Sequence, residues 1–287
     1  MGRSEFIRVP LPAARMTNAV FMRILFVFCR RSVYPLNRAA QATVDQRRLR
    51  VAIILRAFSR QKVKELMKTV IFDLDGTLAD TSGDLIAAAN TCFRDMGAGD
   101  LLKPDVDQGT ALRGGRAMLR LGMARLGRPE DEATIDRYYP VLLEAYGAQI
   151  DRFTTVYPGA MDAVEVLKGR GYGVGICTNK PEGLAQLLLQ NLGIRDVFGS
   201  LVGADTLPVR KPDPEPLFEA ARRAGGDPRR CVLIGDSDTD RNTARAAGVP
   251  SVLVTFGPAG EDMAALEPEA LLEHYEALPD MVDRLLT

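Results

Sequence analysis

From residue 67 onward, short apolar runs alternate with amphipathic stretches. The runs at 69–74, 172–178, 200–203, 231–235 and 251–255 are bounded by turn residues and predict buried strands. The stretches at 82–97, 160–170, 183–192, 214–225 and 239–247 have helical periodicity. Strands that alternate with helices of this length predict βαβ units, and therefore a doubly wound, Rossmann-like α/β fold with a parallel sheet.

The first predicted strand is separated from the second by a long interval. Residues 98–156 are helix-like with Gly and Pro breaks and contain no convincing strand. An interval of this length exceeds a simple crossover connection. We therefore predict a core formed by residues 67–81 and 157–287, with residues 82–156 inserted into it as a helical cap.

Charge is distributed unevenly along the chain. The 287 residues contain 37 Lys and Arg and 37 Asp and Glu, but basic residues far outnumber acidic ones in residues 1–66. This extension has three interpretations: an organelle transit peptide, a basic tail that contacts membranes or partners, or upstream sequence without a role. We favour the last, because Met67 leads directly into the first strand. We predict a cytoplasmic protein and leave organelle targeting open.

Composition also argues against several classes of protein. The acidic excess of residues 67–287 argues against a nucleic-acid partner. No apolar run approaches the roughly 18 residues of a membrane-spanning helix. Cys177 and Cys231 fall in predicted strands and indicate core packing in a reducing compartment. The single histidine, His274, lies in a predicted C-terminal helical stretch, so a histidine-based mechanism is not indicated.

Polar clusters flank the predicted strands and helices at four places. They are Asp73–Leu78, Thr178–Lys180, Arg210–Pro212 and Gly235–Asp240. Ligands of open parallel sheets bind beyond the carboxyl ends of the strands, so we expect the four clusters to converge on one rim. Crowded carboxylates repel one another unless a cation lies among them, and oxygen ligands suit Mg²⁺. A carboxylate can also act as a nucleophile and form an aspartyl-phosphate.

These clusters resemble, in order, the four motifs of the haloacid dehalogenase superfamily. The residues that carry the resemblance are Asp73–Leu78, Thr178–Lys180, Lys211–Pro214 and Gly235–Asp240. The resemblance covers about residues 67–287. It implies that Asp73 is the nucleophile, and that Asp75 protonates the leaving oxygen and then deprotonates the attacking water.

The resemblance also implies a phosphate site. Thr178 and Asn179 would hold the phosphoryl oxygens, and Lys211 would neutralise charge and orient the nucleophile.

A Mg²⁺ ion is implied beside it. Its ligands would be Asp73, Asp236 and the backbone carbonyl of Asp75. Asp240 would support the metal indirectly. Ser237 would help to position the phosphate or a metal-bound water, and Asp238 has no counterpart in the motif, so we interpret it as solvated or as a helix N-cap.

The inserted segment resembles the helical caps of one branch of the superfamily. Within it, residues 109–116 combine glycines with two arginines, and Arg113 and Arg116 could hold a substrate carboxylate bidentately. The alternative is a helix entry with two solvated arginines.

Within the superfamily, the chain looks most like the phosphoglycolate phosphatases. Residues 73–80, the cap and residues 204–214 carry this likeness, which implies conversion of 2-phosphoglycolate and water to glycolate and phosphate. The partner would thus be a small phosphorylated metabolite; the sequence does not indicate an oligomeric state.

Alternatives to this function are another small-phosphate hydrolase or a β-phosphoglucomutase-type phosphomutase. A dehalogenase is disfavoured, because a dehalogenase of this superfamily normally lacks the second aspartate of the first motif, which is present in this chain as Asp75. A non-catalytic binding protein on this fold is disfavoured, because every core position is intact.

Overall fold

The computed structural model describes residues 67–129, 131–257 and 263–287. The strands are β1 Thr69–Phe72, β2 Ala79–Asp80, β3 Thr155–Val156, β4 Gly173–Cys177, β5 Ser200–Val202, β6 Cys231–Gly235, β7 Ser251–Val254 and β8 Ala270–Leu272. Six of them form one sheet in the order β5-β4-β1-β6-β7-β8, and every neighbouring pair is parallel. The doubly wound parallel fold predicted from the sequence is confirmed.

Helices connect these strands. They are α1 Ser82–Asp95, α2 Gln108–Leu112, α3 Gly115–Arg125, α4 Glu132–Ala148, α5 Ala160–Gly169, α6 Glu182–Asn191, α7 Glu215–Arg223, α8 Asp238–Ala247 and α9 Leu278–Leu285. Short 3₁₀ turns lie at Arg195–Val197, Met263–Leu266 and Tyr275–Ala277. The five strands and five helices whose residue ranges were predicted from the sequence are all present, and their ends differ from the predicted ends by at most two residues.

The sheet is apolar on both faces because its strands are buried on both sides. All four residues of β1 are buried. Val70 and Phe72 belong to one apolar cluster and Ile71 to another. Side chains alternate between the two faces of a strand, so a continuous apolar run supplies both layers at once.

Helices α1 to α4 lie between β2 and β3. These two strands pair antiparallel, with Ala79 opposite Val156 and Asp80 opposite Thr155. The expectation that residues 98–156 contain no strand is therefore wrong, since β3 lies at their end. A two-residue strand has too little pattern to be recognised in a sequence. The division into a core and a cap of residues 82–156 stays a prediction.

The C-terminal segment differs from the sequence prediction. His274 is exposed, as expected, but it follows β8 and precedes a 3₁₀ turn rather than lying within a helix. Residues 1–66, including the basic extension and Cys29, lie outside the described residues. Cys177 and Cys231 are buried free thiols in β4 and β6. None of the described helices has both the length and the apolar character needed to cross a membrane.

Candidate active site

Three strand ends meet at one point of the sheet. β1 lies between β4 and β6, and Phe72 pairs in register with both Ile176 and Ile234. The three strands therefore end at the same level. The chain proceeds from β4 outward to β5 and then returns to β6 on the other side of β1, so the strand order reverses here. Open α/β sheets bind ligands at such a reversal.

Asp73 is the first residue after β1, and its carboxylate is anchored through one oxygen. Its Oδ1 accepts the Leu74 N–H at 2.7 Å and lies 3.1 Å from Nζ of Lys211. Within the described part of the chain, no group donates a hydrogen bond to Oδ2. Burial raises the pKa of the Asp73 carboxyl to about 6, although the Lys211 ammonium opposes this shift. One oxygen is thus fixed while the other is available for chemistry.

Lys211 enters the same point from the loop before α7. Its side chain is 1% exposed, and its Nζ lies 2.6 Å from Oδ1 of Asp240. Although burial favours the neutral amine, the Asp240 and Asp73 carboxylates hold the pKa of Lys211 above its usual value. The side-chain amide of Asn179 donates to the Lys211 backbone carbonyl at 3.1 Å. The loop that carries the lysine is therefore tied to the end of β4.

Asp236 follows β6 and faces the loop after β1. Its Oδ1 accepts a hydrogen bond from the Thr77 hydroxyl at 3.1 Å. Burial, reinforced by the charges of Asp240 and Asp73, raises the pKa of Asp236 well above its usual value. Gly76 has φ +80°, and a Cβ there would overlap Oδ2 of Asp236. Glycine is therefore required both for the turn and for the close approach.

These carboxylates form a set that could hold a divalent cation. Carboxylate oxygens of Asp73, Asp236 and Asp240 lie within 4.8 Å of one another. The buried ammonium of Lys211 contacts two of them, which leaves an excess of negative charge that a cation would offset. Oxygen ligands in a cluster of this kind fit a hard divalent ion.

Asp240 is already engaged with protein groups. Its Oδ1 accepts from Lys211, and its Oδ2 accepts the Ser237 hydroxyl at 2.6 Å. Asp236 has fewer protein donors and is better placed to be a direct ligand. This supports the predicted indirect role of Asp240. The Ser237 side chain also caps α8. Asp238 is the exposed first residue of that helix, so its interpretation as a solvated residue is confirmed and the alternative, an N-cap, is wrong.

Asp75 is held by two donors that the sequence analysis did not assign. Its Oδ1 accepts the Thr81 hydroxyl at 2.5 Å and Nζ of Lys180 at 2.7 Å. Lys180 in turn donates to the hydroxyl of Tyr146, on α4, at 2.8 Å. Lys180 stood in the polar cluster after β4, which was a signal for a role. Tyr146 lies in an ordinary amphipathic helix and gave none.

A cleft of about 820 Å³ opens above these groups. It is lined by the sequence-predicted residues Asp73, Asp75, Arg113, Arg116, Thr178, Asn179, Lys211, Asp236 and Ser237. Asp240 lies behind them, fully buried. We call the residues at the strand ends and Lys211 the core floor, and the residues of the cleft contributed by α2, α3 and α4 the cap wall. The structure thus brings together the predicted core residues and both arginines, while their individual roles stay predictions.

Arg116 is oriented by its neighbours on the cap wall. Its guanidinium lies 2.8 Å from Oδ1 of Asp136 and 4.8 Å from the ring centroid of Tyr139. Its side chain is 38% exposed. Arg113 lies at the end of α2, beside the same cleft. The cap wall therefore presents positive charge to the space above the core floor.

The sequence of residues 67–248 matches the family model of the haloacid dehalogenase-like hydrolases. The chain belongs to this family. It is 38% identical over 222 residues to a phosphoglycolate phosphatase of Mesorhizobium japonicum, covering 76% of this chain and 96% of the relative. It is also 38% identical to a phosphoglycolate phosphatase of Rhodospirillum rubrum, covering 74% and 90% of the two chains. The chain is therefore an enzyme, a hydrolase similar to phosphoglycolate phosphatases.

Solved structures agree on the architecture of this haloacid dehalogenase-like hydrolase. A structure described as a predicted phosphoglycolate phosphatase from Haemophilus somnus 129pt superposes with a TM-score of 0.66 at 24% identity. The match covers 75% of this chain and 97% of that one. At this level of identity, the similarity establishes the fold.

Proposed function

We propose that this hydrolase is a Mg²⁺-dependent phosphatase that acts through a phosphorylated Asp73, with 2-phosphoglycolate as its substrate. The observation that carries the proposal is the pair of carboxylates Asp73 and Asp75 at the point where the strand order reverses. Each has one anchored oxygen and one oxygen without a donor from the described residues. Such a pair suits one nucleophile and one acid–base group.

In the first step, an oxygen of Asp73 attacks phosphorus and forms a new P–O bond. The P–O bond to the glycolate oxygen breaks, and that oxygen takes the proton carried by Asp75. Thr178 and Asn179 would contact the phosphoryl oxygens, and the fixed ammonium of Lys211 would offset their charge. The products of this step are glycolate and the aspartyl-phosphate.

In the second step, water attacks the phosphorus of the aspartyl-phosphate. The Asp75 carboxylate accepts the proton from this water, and the bond between phosphorus and Asp73 breaks. Inorganic phosphate leaves, Asp73 returns to its carboxylate form, and Asp75 is again protonated. The same side chain therefore acts as acid and then as base.

Asp73, Asp236 and the backbone carbonyl of Asp75 would hold Mg²⁺, with Asp240 and Ser237 supporting them. The ion, when bound, neutralises negative charge on the phosphoryl group. The local excess of carboxylates supports this assignment.

The substrate is inferred from the cap wall together with the relatives. Proteins named phosphoglycolate phosphatase match almost their full length with this chain. The carboxylate of 2-phosphoglycolate is complementary to the guanidinium groups of Arg113 and Arg116, which line the cleft above Asp73. A phosphate held at the core floor would place its substituent toward this wall.

The test is phosphate release by the full chain across a panel of small phosphates with Mg²⁺ and with EDTA. The panel includes 2-phosphoglycolate, phosphosugars, nucleotides and pyrophosphate, each with and without a sugar bisphosphate. We expect the highest kcat/KM for 2-phosphoglycolate and no release in EDTA. Equal, weak hydrolysis of the whole panel would overturn the substrate. Conversion of a sugar phosphate that requires the bisphosphate would identify a phosphomutase instead.

A further inference from the structure

Lys180 connects the acid–base carboxylate to the inserted helices. It lies in the core after β4, and its side chain is 4% exposed. Its Nζ contacts Oδ1 of Asp75 at 2.7 Å and the hydroxyl of Tyr146 at 2.8 Å. Tyr146 is 2% exposed and belongs to α4. One buried ammonium therefore bridges a residue of the core floor and a residue of the cap wall.

The contacts of Lys180 leave it little freedom. A buried ammonium needs acceptors for its N–H groups. If one acceptor is removed, the free-energy cost of taking the charge out of water is no longer offset by a hydrogen bond. Asp75 and Tyr146 supply them, and the Tyr146 ring centroid lies 4.3 Å from Nζ, within range of a cation–π attraction. The direction of the ammonium is thus set jointly by the carboxylate and by the cap tyrosine.

The two donors to Asp75 converge on the same oxygen. Both Thr81 and Lys180 contact Oδ1. A proton on Asp75 would then reside on Oδ2, since Oδ1 faces two donors. Rotation of the carboxyl by a few tens of degrees would change the direction in which that proton is presented. Proton transfer requires hydrogen-bond geometry between the donor and the leaving oxygen, so this direction matters.

We propose that Lys180 and Tyr146 are positioning residues that hold Asp75 for proton transfer to the leaving oxygen, and that α4 thereby acts on the chemical step. This inference rests on the proposed function, in which Asp75 is the acid. Tyr146 acts through Lys180, and neither residue exchanges a proton with the substrate.

The experiment compares two substrates of the same enzyme. An alkyl phosphate such as 2-phosphoglycolate has a poor leaving group that needs the acid, whereas p-nitrophenyl phosphate releases a stable anion that needs it little. The constant kcat/KM includes only the steps up to departure of the leaving group, so hydrolysis of the phosphoenzyme does not affect the comparison. The readout is the ratio of the two kcat/KM values.

Tyr146→Phe removes the hydroxyl and retains the ring. We expect kcat/KM for the alkyl phosphate to fall about tenfold and that for p-nitrophenyl phosphate to fall less than about twofold, a fraction of what a general acid contributes. Tyr138→Phe is the matched control, because Tyr138 lies on the same helix and its hydroxyl donates to Asp95 at 3.0 Å, outside the cleft. It should leave the ratio unchanged. An equal fall for both substrates in Tyr146→Phe, or no fall, would overturn the inference.

Lys180→Gln tests whether the two residues act as a unit. If Tyr146 works through the ammonium, Tyr146→Phe should have no further effect on the ratio in the Lys180→Gln background. Additive losses would contradict the coupling.

Asp75→Asn distinguishes this inference from the proposed function: it should show the largest change in the ratio. If Asp75→Asn changes the ratio and Tyr146→Phe does not, only the positioning role fails; if Asp75→Asn leaves the ratio unchanged, the acid assignment and the positioning role both fail.

Discussion

Charged side chains are more deeply buried on the core floor than on the cap wall. The side chains of Asp73, Asp75 and Lys211 are 13%, 15% and 1% exposed. On the cap wall, the side chain of Arg116 is 38% exposed and that of its partner Asp136 is 64% exposed. Removing one partner of a buried pair costs about 3–5 kcal/mol, while an exposed pair contributes about 0–1 kcal/mol. The floor therefore holds its groups in one arrangement that chemistry can use. The wall can exchange its contacts for those of a ligand at little cost in stability.

This difference has a counterpart in function. A reacting group must be held close to its productive geometry, so it benefits from surroundings that cannot rearrange. A recognition group must be accessible and must release its own partner when the ligand arrives. Substitutions on the floor should mainly affect turnover, and substitutions on the wall should mainly affect substrate affinity.

The largest expected effect comes from Asp73→Asn on the floor. The amide keeps the shape of the side chain but removes the nucleophile, so kcat should fall by roughly 10³-fold or more. Lys211 retains Asp240 at 2.6 Å, so the variant should remain folded. Phosphate release and thermal unfolding by circular dichroism are the measurements. Asp196→Asn, at an exposed position remote from the cleft, is the control and should retain full turnover. Substantial turnover by Asp73→Asn would contradict the assignment of Asp73 as the nucleophile.

The cap wall should give a smaller effect of a different kind. Arg116→Ala and Arg113→Ala remove groups that would contact the substrate carboxylate, so KM for 2-phosphoglycolate should rise roughly tenfold each with kcat nearly retained, equivalent to about 1.4 kcal/mol. Ethyl phosphate lacks the carboxylate, and its KM should not change. Arg94→Ala, which removes an exposed arginine of α1 that pairs with Asp100, is the matched control. Unchanged KM values in both cap variants would contradict a role in substrate binding and would favour the alternative interpretation of residues 109–116 as a helix entry.

A last prediction concerns stability rather than catalysis, and it tests whether burial, rather than location, governs the difference. Asp107 belongs to the inserted segment but its side chain is only 4% exposed, and it accepts two hydrogen bonds from Arg125. These bonds lower the pKa of Asp107 below its usual value. A lowered folded-state pKa stabilises the protein above the unfolded-state pKa, and this stability is lost as the pH falls through the folded-state value.

Asp107→Asn should therefore lower the free energy of unfolding by about 1–3 kcal/mol at pH 7. The difference from the unmodified protein should shrink as the pH falls below about 4. Urea unfolding at both pH values measures it. Asp100→Asn removes an exposed partner of Arg94 and should change stability by less than about 0.5 kcal/mol. Equal effects of the two substitutions would show that burial is not the deciding variable.

The sheet and the positions of the acidic groups could be predicted from the sequence because each depends on local pattern. A buried parallel strand is a continuous apolar run, and the residue after it lies at the binding edge, so Asp73 and Asp236 followed directly. β2 and β3 were missed because two residues are too short for any periodicity. β8 was missed because Ala270–Leu272 lies among Glu, Ala and Leu residues that are typical of a helix.

The bridge through Lys180 could not be predicted in the same way. Tyr146 and Lys180 are separated by 34 positions and belong to different parts of the fold. Their contact depends on how α4 packs above the sheet, which no local spacing encodes. Thr77 stood inside the first motif, but a hydroxyl that contacts Asp236 is indistinguishable in sequence from an ordinary turn threonine.

The β2–β3 ribbon makes the inserted helices an exchangeable module. The chain leaves the core at Ala79 and returns at Val156, directly opposite, so the two junctions are one strand spacing apart. Any insert whose ends meet at that spacing could be grafted there without altering the register of the six-stranded sheet. Evolution or an engineer could thus replace the part to which we assign selection of the leaving group, while Asp73, the proposed nucleophile, stays in place.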